Sequence, residues 1–109
     1  GMGVLGIIAS PSYTIVNEYH SASGPSLYHI DFYRISETSF LGFDPEECIG
    51  GSGVAAVEWP DRAPGHIPPE RLWITFRHVD EMKRGLLLQP SGERYRELLL
   101  AFRMSAFGV

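Results

Sequence analysis

The sequence predicts an α/β fold in which a mixed sheet with antiparallel hairpins is followed by a C-terminal helix. Two pairs of alternating apolar segments are each joined by a short polar turn, a pattern typical of antiparallel hairpins. A short continuous apolar run at residues 54–57 is typical of a strand buried on both faces. Apolar residues then recur at helical spacing in residues 93–103, which indicates a final amphipathic helix.

The composition indicates one soluble globular domain covering residues 1–109. The chain has 109 residues and is 44% hydrophobic, which is enough for one modest core. Its longest apolar runs fall well short of the ~20 residues that a membrane-spanning helix needs. Its single cysteine, Cys48, cannot form an intramolecular disulfide, and this fits a reducing, cytoplasmic location. The four histidines show no close pairing along the sequence, so the sequence gives little support to a zinc site.

The charge pattern bears on possible partners. The net charge is −4, whereas proteins that bind nucleic acid by themselves usually carry a basic face, so we expect no direct nucleic-acid binding. Eight of the nine basic residues are arginines. A C-terminal group of them is compatible with a partner surface, an RNA patch or the solvated side of a helix: Arg84, Arg94, Arg96 and Arg103.

The first half of the chain predicts a hairpin. Residues 4–9 are apolar and β-prone, and the Ser-Pro-Ser sequence at 10–12 predicts a turn. Residues 13–19 alternate between apolar and polar side chains, which indicates a strand with one wet face. The polar, glycine-containing stretch at 20–26 connects it to a second strand at residues 27–34. The short connection predicts that these two strands pair antiparallel.

Two short helices are predicted before the apolar run. Residues 36–43 are compatible with a short helix that starts at a serine. A stronger start signal follows, because Asp44 can cap a helix, Pro45 suits the first helical position, and Glu47 completes a capping box. The glycine pair at 50–51 is expected to end that helix.

The second half of the chain predicts another hairpin and the final helix. Residues 61–71 contain three prolines and form a predicted loop. Weak alternation at residues 72–78, a charged turn at 80–84 and an apolar segment at 85–89 predict the hairpin. The apolar stripe of the helix at 93–103 is expected to pack on the sheet; it contains Tyr95, Leu98, Leu99 and Phe102.

The predicted central strand at residues 54–59 carries an acidic residue, Glu58, near its carboxyl end. Pro60 ends the strand, since proline has no N–H for the ladder. Open α/β sheets bind ligands at the carboxyl ends of their strands, and a carboxylate there commonly holds magnesium or positions a water in nucleotide-binding folds. The alternative is a structural role, in which Glu58 caps a neighbouring loop or pairs with Arg62.

A second carboxylate, Asp31, interrupts the apolar pattern of the strand at residues 27–34. Such a group needs a partner or a cation, and pairing with Arg34 or with a backbone donor is the alternative to a functional role. A third interpretation takes Asp31 and Glu58 as the carboxylate pair of a small hydrolase, although nothing in the sequence sets their separation. No phosphate cradle of the form Gly-x-x-x-x-Gly-Lys-Ser/Thr occurs, since the only lysine, Lys83, lacks the preceding glycines.

Four linked segments resemble the TsaE (YjeE) family, the bacterial ATPase subunit that takes part in making threonylcarbamoyladenosine in tRNA. They are SPSYTIVNEY at 10–19, LYHIDFYR at 27–34, LGF at 41–43 and VEWPDR at 57–62. Four motifs in this order are much more specific than any one of them. The resemblance extends over residues 4–88 and implies a truncated P-loop NTPase-like fold, with ATP and magnesium as cofactors.

The resemblance also implies roles for individual residues. Glu58 and Asp31 resemble the catalytic carboxylates, which would hold magnesium only if a P-loop is supplied. Trp59 and Arg34 resemble residues that flank the site. A loop similar to the family's nucleotide-responsive loop contains Ser10, Ser12, Tyr13 and Thr14. The implied partners are the threonylcarbamoyladenosine-synthesis proteins TsaB and TsaD, in the cytoplasm, and a homodimer is expected because uncovered sheet edges favour self-association.

The family's N-terminal third, with its P-loop, has no counterpart in this sequence. Two carboxylates without the cradle repel phosphates, so we expect this chain alone to bind ATP weakly and to be inactive alone; micromolar binding in a calorimetric titration would contradict this. The alternative function is a non-catalytic interaction module or remnant that retains a partner-binding surface. An in-frame Gly-rich Gly-Lys-Ser/Thr segment in the DNA upstream of Met2 would favour the ATPase, and a stop codon would favour the module.

Overall fold

The computed structural model describes residues 2–8, 16–33 and 44–109. It divides into two compact units, Gly1–Pro68 (unit 1) and Pro69–Val109 (unit 2). The single domain expected from the composition stays a prediction.

Unit 1 is built on three described strands. Strands β1 (Val16–Tyr19) and β2 (Leu27–Asp31) pair antiparallel, with Tyr19 opposite Leu27, so the first predicted hairpin is confirmed. Strand β3 (Val54–Glu58) pairs parallel with β2, giving the order β1-β2-β3. Of the β-prone residues 4–9, residues 4–8 lie outside the strands and Ala9 lies outside the described residues.

The register of the three strands brings the core side chains together on one face of the sheet. Val16, Ile30 and Val57 lie side by side across β1, β2 and β3, because directly paired residues share a face of the sheet. Ile30 and the neighbouring Phe32 are fully buried, and Ala63 is nearly so. These residues form the core of unit 1, and half-buried side chains pack around them: Val16, Cys48, Ile49, Val57 and Ile67.

The prediction that β3 is a central strand buried on both faces is wrong for the described residues. Among them β3 pairs only with β2 and therefore forms the edge of the sheet. Its residues alternate, with Ala55 and Val57 half-buried and Val54 and Ala56 exposed. A run of small apolar residues shows that a segment can tolerate burial, but the number of neighbouring strands decides how much of it is buried.

The predicted helix start at Asp44 is confirmed. Helix α1 (Pro45–Cys48) begins with proline at its first position, and Asp44 Oδ1 accepts a hydrogen bond from Glu46 N at 3.0 Å. The capping box expected at Glu47 is replaced by this contact one residue earlier, while Glu47 N donates to the Asp44 carbonyl. After the helix, Gly50 has a φ of 87°, which glycine adopts at little cost. The predicted helix at 36–43 lies outside the described residues.

The predicted proline-rich loop contains two single turns of 3₁₀ helix, Pro60–Arg62 and Pro64–His66. Each turn begins with proline, whose fixed φ suits the first helical position. Ala63 lies between the two turns and is buried against the core. The loop therefore closes the core of unit 1 just after β3 ends.

Replacing Gly53 with alanine should destabilise unit 1. An added Cβ would lie 2.7 Å from the Ser26 carbonyl oxygen and 2.7 Å from a ring carbon of Tyr28. Tyr28 can move, but the backbone of Ser26 cannot move without disturbing the start of the β2–β3 pairing, where Val54 N donates to the Ser26 carbonyl. We expect a loss of about 1–3 kcal/mol in urea unfolding. Gly65→Ala is the matched control, since nothing lies within 4 Å of its added Cβ; equal losses would contradict this account.

Unit 2 is a long hairpin followed by a helix. Strands β4 (Arg71–Asp80) and β5 (Lys83–Ser91) pair antiparallel, with Thr75 opposite Leu87. Helix α2 (Glu93–Phe107) follows and contacts β5. The second predicted hairpin and the C-terminal helix are confirmed, and the helix extends four residues beyond its predicted end at Arg103. Across the described ranges, no helix has the length and apolar character that a membrane span needs.

The predicted packing of the α2 stripe on the sheet is wrong for half of its residues. Tyr95 and Leu99 are half-buried, whereas Leu98 and Phe102 are exposed. Of the two hairpin strands, the helix contacts mainly β5, so only part of its apolar stripe is covered. A shallow groove of about 280 Å³ remains beside the helix, lined by Pro90, Arg96, Leu99, Leu100 and Arg103.

Candidate functional site

Asp31 and Glu58 lie directly opposite each other at the ends of β2 and β3. Because these strands are parallel, their carboxyl ends meet at one edge of the sheet, and paired residues point to the same face. The pairing continues past the strands, since Phe32 N donates to the Glu58 carbonyl at 3.0 Å. The two carboxylates therefore share one face and one edge, as expected for neighbouring strand ends, and their chemical role stays a prediction.

The side chain of Asp31 is held by the backbone that follows it. Tyr33 N donates to Asp31 Oδ1 at 2.9 Å, which is the geometry of an Asx turn. Of the two structural alternatives for Asp31, the backbone bond is the one observed. The other, Arg34, lies outside the described residues.

The side chain of Glu58 is held by His29. His29 Nε2 lies 3.0 Å from Glu58 Oε2, and the side chains are 17% and 45% exposed, respectively. An ionised carboxylate can only accept, so the imidazole N–H is the donor. The alternative pairing with Arg62 is not the contact seen, because the Arg62 guanidinium lies over the Tyr33 ring, 5.3 Å from its centroid.

His29 is a site residue that the sequence analysis missed. The sequence shows it only as one of four histidines without close pairing and as part of the segment LYHIDFYR. The available signal was its position two residues before Asp31 on the same strand, which places both side chains on one face. A partner on another strand could not be inferred from this spacing alone.

An aromatic cluster follows the two strand ends. The rings of Tyr33 and Trp59 are 4.9 Å apart at 52°, and both side chains are about half exposed. Trp59 has a φ of 55°, which is unusual for a bulky residue and costs about 1–3 kcal/mol. This left-handed residue turns the chain sharply after Glu58 and places the indole beside the predicted site, where the sequence predicts a flanking role for it.

Comparing Trp59→Gly with Trp59→Ala should isolate this backbone strain. Both variants lose the indole and its contact with Tyr33, but only glycine adopts the positive φ without cost. We expect Trp59→Gly to be more stable than Trp59→Ala by about 1 kcal/mol in chemical unfolding. Equal stabilities would mean that the positive φ is not retained in solution.

The remaining predicted site residues lie outside the described ranges. These are Ser10, Ser12, Tyr13, Thr14 and Arg34. Among residues 2–8, 16–33 and 44–109, no three His, Cys, Asp or Glu side chains are grouped closely enough to hold a metal ion by themselves. The described site therefore offers two carboxylates, Asp31 and Glu58, rather than a complete protein cage.

Cys48 has the environment of a structural residue. Burial raises the pKa of its thiol, and the negative charges of Glu18, Glu47 and Asp44 raise it further. The thiolate is the reactive form, so this environment lowers the nucleophilicity of Cys48. Its contacts with the apolar core of unit 1 agree with the interpretation of a small half-buried apolar residue.

A family model described as "Threonylcarbamoyl adenosine biosynthesis protein TsaE" matches residues 1–86. The chain belongs to the TsaE family. This confirms the resemblance inferred from the four sequence motifs, which extend over most of the matched range.

Curated relatives and a solved structure agree with the family. The chain is 37% identical over 99 residues to the tRNA threonylcarbamoyladenosine biosynthesis protein TsaE of Bacillus subtilis, covering 90% of this chain and 61% of the relative. It is 33% identical to that of Treponema pallidum, over 77% of this chain and 62% of the relative. The crystal structure of B. subtilis YdiB is similar with a TM-score of 0.72 and 28% identity, over 90% of this chain and 61% of YdiB.

This chain spans somewhat less than two thirds of the length of these TsaE relatives. The structural similarity to YdiB confirms the predicted fold class, a mixed α/β fold of P-loop NTPase type with antiparallel hairpins and a C-terminal helix.

Proposed function

We propose that this TsaE protein is a component of tRNA threonylcarbamoyladenosine biosynthesis and contributes the acidic side of a magnesium–ATP site. Membership of the TsaE family supports the pathway. The observation that carries the site is the direct pairing of Asp31 and Glu58 at the ends of two parallel strands. This is the edge at which α/β sheets bind their ligands.

The donor set of the site fits magnesium. Carboxylate oxygens are ligands that magnesium prefers, and the ion is usually held by one or two carboxylates together with waters and substrate phosphates. Asp31 and Glu58 would hold it from neighbouring strands, with Asp31 oriented by Tyr33 N and Glu58 by His29. When bound, the ion neutralises charge on the phosphates and allows them to approach the two carboxylates.

The test is assembly with the proposed partners, TsaB and TsaD. Adding the protein to purified TsaB and TsaD should give a complex of larger mass in light scattering. Magnesium-dependent release of phosphate from ATP should accompany it if the assembly supplies the phosphate cradle that this sequence lacks. The isolated chain should release little phosphate. Failure to form any complex would contradict the proposal.

The second candidate function is a non-catalytic module that retains a partner-binding surface. The exposed cluster of Tyr33, Trp59 and Arg62 favours it, because Trp, Tyr and Arg are the residue types most often found at binding hot spots. Under this alternative the complex with TsaB and TsaD forms without any added ATP hydrolysis. The same experiment therefore separates the two functions.

We also propose that the protein acts in the cytoplasm and forms a homodimer. Large exposed apolar side chains in unit 2 support self-association, since exposed apolar surface is commonly buried at interfaces. Phe76, Leu86, Leu100 and Phe107 are all more than half exposed. A monomeric mass in light scattering at moderate protein concentration would contradict the dimer.

A further inference from the structure

We propose that His29 is a positioning residue, which holds the Glu58 carboxylate in the orientation needed to bind a divalent cation together with Asp31. This inference rests on the proposed function, because it assumes that the two carboxylates are cation ligands. It assigns a role to a side chain for which the sequence analysis found none.

The register of the sheet explains how His29 reaches Glu58. His29 lies on the middle strand of the described sheet, directly opposite Ala56, while Glu58 is two residues further along β3 on the same face. Diagonal neighbours on a sheet are within reach of long or aromatic side chains. Because Ala56 has only a methyl group, the imidazole can lean across it toward Glu58, and the two groups meet at 3.0 Å.

The two partners differ in how firmly they are held. The His29 side chain is 17% exposed, whereas the Glu58 side chain is 45% exposed. An exposed glutamate at a strand end samples several rotamers, and ordering it for a ligand costs conformational entropy. A hydrogen bond from the better-buried imidazole reduces that freedom before any ligand arrives, which is the effect of preorganisation.

The other carboxylate, Asp31 on β2, is also held by a hydrogen bond at one of its oxygens. Asp31 is held at Oδ1 by Tyr33 N, and Glu58 is held at Oε2 by His29 Nε2. Each carboxylate is thus oriented by a hydrogen bond at one oxygen while its other oxygen can face a ligand. Hydrogen bonds of this kind to metal-binding carboxylates typically change metal affinity by about 10–100-fold when they are removed.

The experiment uses the full chain, isotope-labelled for NMR, with MnCl₂ as a paramagnetic substitute for magnesium. Bound Mn²⁺ broadens nearby backbone amide signals, so weak binding is both measured and located. The reporting amides are those of Phe32 and Trp59, which follow the two carboxylates in the sequence. The variants are His29→Phe, which keeps a ring without a donor, and His29→Gln, which retains an N–H donor. His20→Phe is the matched control, because His20 lies at the opposite end of the sheet.

In the wild-type protein, the signals of Phe32 and Trp59 should broaden first. His29→Phe should require a Mn²⁺ concentration at least about tenfold higher for the same broadening. For His29→Gln and His20→Phe, the required Mn²⁺ concentration should stay close to that of wild type. If His29→Phe matches wild type, positioning by His29 is excluded and the carboxylate site stands. If wild type shows no broadening at the two strand ends, the proposed cation site fails, and the inference fails with it.

A second measurement on the wild-type protein needs no metal and no variant. Long-range ¹H–¹⁵N spectra at pH 8 report which imidazole nitrogen of His29 carries a proton. The proposal requires a proton on Nε2, the atom that faces Glu58 Oε2. A His29 ring protonated only on Nδ1 would overturn the proposal even if the His29→Phe variant did not fold.

Discussion

Replacing Phe32 with alanine is expected to destabilise unit 1 by about 3–5 kcal/mol, because it removes a large, fully buried side chain and leaves a cavity. Phe32 and Ile30 are the largest fully buried side chains of the described residues. Its backbone N–H also bonds the Glu58 carbonyl, so the cavity would open directly beneath the two strand ends. A loss of this size is a large part of the roughly 5–15 kcal/mol that stabilises a typical domain.

The measurement is urea unfolding followed by circular dichroism and tryptophan fluorescence. Met82→Ala is the control, since it also truncates a large apolar side chain, which is 92% exposed and is not among the residues that support the proposed self-association. We expect the control to stay within about 0.5 kcal/mol of wild type. Similar losses for both variants would mean that Phe32 is not the centre of this core in solution.

Replacing Glu58 with glutamine is expected to lower magnesium-dependent ATP hydrolysis by about 100-fold or more. The comparison is with the wild-type protein in an assembly with TsaB and TsaD that is active in ATP hydrolysis. Glutamine has nearly the same shape, and its carbonyl oxygen can still accept the hydrogen bond from His29 Nε2. The substitution therefore removes the charge while keeping the hydrogen bond. The loss would report the contribution of the carboxylate to holding the cation.

The control for this prediction is Glu47→Gln. Glu47 is an exposed carboxylate in the first turn of α1, so its substitution changes the net charge by the same amount away from the strand ends. Phosphate release should remain close to wild type in this variant. Unchanged hydrolysis in Glu58→Gln would remove Glu58 from the proposed site, whereas equal losses in both variants would indicate a general effect of net charge.

Local signals predicted most of the secondary structure. The alternation around Val16–Tyr19 and Leu27–Asp31 predicted two strands, and the short polar connection predicted their antiparallel pairing. Asp44 followed by Pro45 predicted the start of α1. These signals work because turns, caps and alternation depend on residues that are close in the sequence.

The same reasoning failed where a result depends on which elements become neighbours. The apolar run in β3 predicted burial on both faces, but β3 has one strand partner among the described residues. The stripe on α2 predicted packing along the helix, but the two-stranded hairpin covers only part of it. Hydrophobic patterns report what a segment can bury, and the surrounding architecture decides what it does bury.

The sequence alone indicates that Asp31 interrupts an apolar strand, that Glu58 follows a short apolar run, and that their motifs belong to the TsaE family. The fold then places Asp31 directly opposite Glu58 and brings His29 into contact with Glu58. This placement depends on the fold because β2 and β3 are far apart in the sequence, and their parallel register is a non-local property. A shift of one residue would turn Glu58 to the other face.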